Sequence, residues 1–171
     1  MNRARGLAIG SSIVVAMLTL VAPASMAVPP EVVFDETFED QFTVPAGEVC
    51  EFSFVITSTG QAIHKHFFNK HGEVVKHQTW ASGTETATNP ESGKTLKGRF
   101  SVSDFQRQHG DEFGPIEVRG LVFHFNAPGA GAVLMDAGRV VFDFDSGDII
   151  SVSGPHQELE GDFEAFCEAL A

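Results

Sequence analysis

The sequence predicts an all-β fold, an antiparallel meander closed or nearly closed into a barrel with a short C-terminal helix. Three observations carry that prediction. Turn signals recur roughly every 8–12 residues between positions 45 and 155. Between them apolar and polar residues alternate with the period of two that marks a strand. Sixteen Phe and no Tyr in 171 residues supply large apolar side chains that bring no hydroxyl to satisfy. A β-sandwich is the alternative, because alternation fixes which way side chains point and not how a sheet closes.

The first 27 residues read as an export signal and not as part of the fold. Arg3 and Arg5 make a basic start, Gly6 to Ala22 is an uncharged apolar run, and Pro23 breaks it. Ser25-Met26-Ala27 then places small residues at the two positions a signal peptidase inspects. Cleavage there leaves 28–171 as a single secreted β domain. It removes two Arg and no acid, so the formal charge of −12 becomes −14. That balance keeps a secreted protein soluble and argues against nucleic acid or anionic membranes as partners. No later segment reaches the roughly 20 apolar residues needed to span a bilayer.

Strands are expected near 32–38, 50–58, 62–69, 73–80, 84–89, 95–106, 116–126, 132–136, 138–145 and 149–153. In the second, Cys50, Phe52, Phe54 and Ile56 share one face, with Glu51, Ser53 and Thr57 on the other. In the seventh, Arg119, Leu121, Phe123 and Phe125 oppose Val118, Gly120, Val122 and His124. Ser58-Thr59-Gly60, Ser82-Gly83 and Ala137-Gly138 read as turns between neighbouring strands. Short connections make sequential strands antiparallel neighbours. Residues 162–170 form the one mature helix, with Asp162 as its cap and Phe163, Phe166, Cys167 and Leu170 along one stripe.

The only two Cys are Cys50 and Cys167. Export implies an oxidising compartment, and neither residue sits in a metal-binding or nucleophile motif, so they are expected to pair. A bridge closing a loop of roughly 100 residues or more stabilises by about 4.7 kcal/mol in a chain-entropy argument.

Four of the seven His fall between His64 and His77. His64 and His66 are two apart on a strand and share a face. With His77 they are candidate metal ligands if the hairpin register brings His77 across from His66. Asn69-Lys70-His71-Gly72 has the residues of a type I turn followed by a Gly bulge. That register sets His66 against Lys76 and turns His77 to the other side, so no metal or other cofactor is expected. The default is a solvated His-rich hairpin that gains charge at mildly acidic pH.

Other constellations dissolve on inspection. Asp143 to Asp148 starts like a calcium loop, but Gly154 stands where the closing Glu belongs, and a hairpin turn explains the same residues. Glu91 to Thr95 ends like a phosphate loop, but Thr88 replaces the required first Gly. No Gly-x-Ser-x-Gly is present, and no catalytic residue is assigned.

The segments Pro45 to Phe52, Phe68 to Val75, Asn89 to Thr95 and Gly138 to Phe142, with the late Cys167, resemble small secreted actinobacterial β-rich proteins of unknown function. The likeness covers about residues 40–170. It implies an exported soluble β protein with paired terminal cysteines, and it carries over no catalytic residues. The His cluster is richer here than in that pattern.

The functional expectation is a secreted, non-enzymatic β-barrel that binds a small apolar ligand or an envelope component, at residues the sequence does not identify. The alternatives are a barrel enzyme of the cyclase or isomerase kind, and an extracellular structural or interaction protein. A His or carboxylate on the inner face with a strongly perturbed pKa is the mark of the enzyme.

Overall fold

The computed structural model describes residues 28–171. The export signal expected over 1–27 lies outside them. Seven antiparallel strands form one sheet in sequence order: β1 (Glu31–Val44), β2 (Phe54–Phe68), β3 (Val74–Thr88), β4 (Thr95–His109), β5 (Glu112–Ala127), β6 (Gly131–Phe142) and β7 (Ile149–Ser153). The expected all-β meander is therefore present. It is a single sheet and not a sandwich. Closure is incomplete, because β1 and β7 end the sheet without pairing to each other.

Seven strands stand where ten were expected. The turn signals at Gly60, Gly83 and Gly138 lie inside β2, β3 and β6. Their glycines serve close packing. Gly60 pairs with Gly83, and Gly120 with Gly138. A Cβ on Gly83 would collide with the Thr59 carbonyl oxygen, so only glycine lets the two backbones approach this closely. The rings of Phe38 and Phe100, 6.0 Å apart, cover the space that side chains at Gly60 and Gly83 would occupy. Long strands thus pass through these points without breaking.

Two short helices follow β7: α1 (Gln157–Glu160) and α2 (Glu164–Leu170). The expected apolar stripe holds. Phe166 and Leu170 are buried, and Phe163 and Cys167 pack against the core. The expected cap does not. Phe163 occupies the cap position of α2 with no side-chain bond, while Asp162 accepts from Gln157 Nε2. Gln157 in turn takes the Met135 N–H at 2.6 Å, which ties α1 to β6.

The core lies between one half of the sheet and α2. Phe54 and Phe125 each meet Phe166 edge-to-face, at 5.4 and 5.3 Å between ring centroids. Such pairs contribute about 0.5–1.5 kcal/mol each beyond the area they bury. The sheet face that carries these contacts is the inner face. On β2 it runs through Phe54, Ile56, Ser58, Gly60, Ala62, His64 and His66 by simple alternation. Cys50 and Cys167 form a disulfide, with Cα atoms 5.5 Å apart across 117 residues of sequence. The buried Asn89, in the β3–β4 turn, donates from Nδ2 to the Leu170 carbonyl, as does Ser92 Oγ. That satisfies one of the carbonyls a helix end leaves without a partner.

Candidate functional site

Beside the three packed Phe rings the inner face leaves an apolar cavity of about 140 Å³. Its lining includes Phe42 on β1, which stands half-exposed at its mouth, Phe123 on β5, Leu134 on β6, and Phe163 just before α2. The strands supply these residues because Phe42, Ile56, Phe125 and Leu134 all fall on inner-face positions of one register. The interior is therefore packed in part and hollow in part.

One carboxyl, that of Glu158, lines this apolar space, and two more are buried elsewhere on the inner face, at Glu85 and Asp136. Glu85, buried on β3, accepts from Ser58 Oγ at 3.2 Å, while its Oε2 finds no partner among the described residues. Burial pushes its pKa up to about 7, against the opposing Ser58 bond and with help from the charge of Glu158. Glu158 lines the cavity and keeps contact with solvent. Partial burial of its carboxyl, and then the Asp136 charge, raise it above the usual carboxylate range.

Asp136 on β6 is buried too, and its Oδ1 lies 2.8 Å from Nδ1 of the buried His156. The other ring nitrogen faces the Ser153 carbonyl at 3.2 Å. A carbonyl only accepts, so Nε2 carries a proton and Nδ1 addresses the acid. The inner face thus holds a His–carboxylate pair and a carboxyl that exchanges its proton near neutrality. Neither was singled out in the sequence. Asp136 had a signal, because it shares parity with Leu134 at the end of the otherwise apolar run 132–136.

The two cysteines expected to pair do so. The His64, His66 and His77 side chains come together at the opposite end of the inner face, and the register expected between them is overturned. His66 sits directly across from His77, and Lys76 pairs with Phe67. The turn is as expected, since Gly72 N–H donates to the Asn69 carbonyl and Asn69 N–H to that of Glu73. A second irregularity between Phe67 and Phe68 then restores the offset within two residues. Lys76 lies on the outer face, with Nζ 3.8 Å from the Phe67 ring centroid. Burial, then His77 and His64, lower the pKa of His66, while Glu31 opposes them.

The calcium-loop residues form the hairpin turn expected of them. Asp143 Oδ1 accepts the backbone N–H groups of Asp145 and Ser146, and Gly147 N–H donates to the Asp143 carbonyl. Among the described residues no helix is long and apolar enough to cross a membrane.

Comparison with known proteins found no matching family model, no matching curated protein and no matching solved structure.

Proposed function

We propose that this is a secreted, non-enzymatic protein that binds a small apolar ligand in the cavity between its sheet and α2. The observation that carries the reading is an aromatic-lined space of about 140 Å³ with a mouth at Phe42. A dry cavity of about 150 Å³ lined by Leu, Ile and Phe accepts benzene, so the ligand, or the part that enters, is a single ring or a short alkyl chain. Glu158, the one acid in the cavity lining, gives such a ligand a polar end to meet. The disulfide fits an oxidising compartment outside the cytoplasm. The resemblance to secreted actinobacterial proteins agrees with it.

Titration with an environment-sensitive apolar dye tests the reading. Emission is expected to rise on binding, to fall on addition of a single-ring aromatic, and to be lost in Leu134→Phe, which fills the cavity. No dye uptake by the folded protein would remove the proposal. For secretion, the exported product is expected to begin at Val28 by intact mass.

A second reading, an enzyme of the cyclase or isomerase kind, is favoured by one observation. The inner face holds the buried His156–Asp136 pair and a Glu85 poised near neutral pH. Turnover of an added apolar ligand that disappears in Glu85→Gln would favour it, and binding without turnover favours the first reading.

A further inference from the structure

The inner face carries a second constellation, far from the apolar cavity, at the hairpin end of β2 and β3. His64, His66 and His77 each direct one ring toward the other two. Their ring centroids are 5.1, 5.9 and 4.5 Å apart, and one nitrogen from each lies within 4.8 Å of the others. A tetrahedral Zn²⁺ holds imidazole nitrogens at about 2.0–2.1 Å, which puts ring centroids about 3.2 Å from the ion and about 5.2 Å from one another. The observed separations bracket that value. Rotation of half-buried side chains closes what remains between the nitrogens.

Each of two rings has an outer partner that fixes the nitrogen turned inward. Gln108 Nε2 donates to the Gly110 carbonyl at 2.8 Å, which orients its Oε1 toward His77 Nε2 at 2.7 Å. An amide oxygen only accepts, so His77 Nε2 holds the proton and Nδ1 keeps a free lone pair. His64 bonds Thr79 Oγ1 through Nδ1 at 3.0 Å, and Phe34 stacks on its ring at 5.3 Å. His64 Nε2 is then the nitrogen left for a ligand. Metal-binding histidines are held by outer partners of this kind.

The surroundings suit a cation. Neighbouring inner-face positions across the ladders are Glu31, Thr79, Asp104 and Gln106, two acids and no base. Lys65 and Lys76, the nearest basic residues in sequence, take the opposite parity and face outward.

We propose that His64, His66 and His77 bind a late first-row divalent cation, of the Zn²⁺ kind, leaving one coordination position open to water or a substrate oxygen. Three imidazoles with an open fourth position match the ligand count of a reactive zinc centre, not the four closed ligands of a structural one. The site is independent of the apolar cavity, and its ligands span β2 and β3 only.

The test is titration of the purified, chelator-treated protein with Zn²⁺ against a chromophoric zinc indicator. One Zn²⁺ per chain is expected. His66→Ala and His77→Ala are each expected to weaken binding by at least about tenfold, and Gln108→Ala by about tenfold through loss of the outer partner. The triple variant H71A/H109A/H124A, which removes histidines outside the cluster, is expected to bind as the parent does. X-ray absorption of the loaded protein should count three imidazoles. Absence of stoichiometric binding, equal loss in the triple variant, or a count of one imidazole overturns the proposal. Far-UV circular dichroism checks that the variants keep the sheet, and because the absorption count uses the unaltered protein it decides even where a variant unfolds.

Discussion

His156 and Asp136 form a buried pair, Nδ1 to Oδ1 at 2.8 Å, joining the segment before α1 to the middle of β6. Among the described residues the second oxygen of Asp136 has no hydrogen-bond partner, and the His156 ring is the side chain that compensates this acid. Breaking a buried pair from one side costs about 3–5 kcal/mol, because the survivor stays buried alone. His156→Ala is expected to fall in that range in urea unfolding. The double variant D136L/H156A is expected to be more stable than His156→Ala. A single-variant loss below about 1 kcal/mol would contradict the assignment.

Glu85 makes stability depend on pH in the direction opposite to an ordinary salt-bridged acid. Its folded pKa of about 7 lies above the unfolded value of 4.5. The folded state therefore holds the extra proton between those values, and stability falls as pH rises through that window, then levels above it. The span corresponds to about 3 kcal/mol. Glu85→Gln is expected to lose this slope relative to the parent, measured as unfolding free energy at pH 5 and pH 8. An unchanged slope in the variant would assign it to other acids.

Helix α2 has seven residues, too few to hold a helix alone, and it is anchored at the Cys50–Cys167 bridge and at Asn89. The double variant C50A/C167A is expected to lose about 2–5 kcal/mol in denaturant unfolding. Asn89→Ala is expected to lose about 0.5–1.5 kcal/mol, since it removes one of the two donors to the Leu170 carbonyl and leaves Ser92 Oγ in place. In hydrogen exchange both should expose α2 amides first. Protection retained in α2 in both variants would mean the Phe166 packing suffices by itself.

Gly83 and Gly47 separate close packing from turn geometry. A Cβ at Gly83 meets the β2 backbone at Thr59 and Gly60 and the Phe100 ring, whereas at Gly47, with φ of +86°, it meets nothing within 4 Å. Gly47→Ala is expected to cost about 1 kcal/mol from its left-handed backbone alone. Gly83→Ala is expected to cost several times more, because paired strands must separate. Equal midpoints for the two variants in urea would remove the close-packing account.

The strands were legible because parity survives where turns are misread. Phe54, Ile56 and Phe125 point inward as alternation says, and β7 falls at 149–153 as expected. What misled was glycine. At Gly60 and Gly83 it marks backbones in contact, a tertiary relation that no local window contains. The His66–His77 pairing was hidden for a related reason. The Asn69–Gly72 turn was readable, but the compensating irregularity near Phe67 depends on how Lys76 and Val74 settle against β2. The acids differ among themselves. Asp136 could be placed inward by its parity with Leu134, whereas its partner His156 follows β7 in an irregular segment where no period applies.

The bridge also sets an order of events. Synthesis delivers Cys50 first, and its partner emerges only after all seven strands have been made. During that interval the lone thiol has no competitor within its own molecule, since the chain holds only two sulfhydryl residues. Mispairing is left to a second copy or to a small thiol. The oxidation step therefore acts as a latch on a sheet whose strands are already made, and a chain interrupted before Cys167 announces itself by a reactive sulfur.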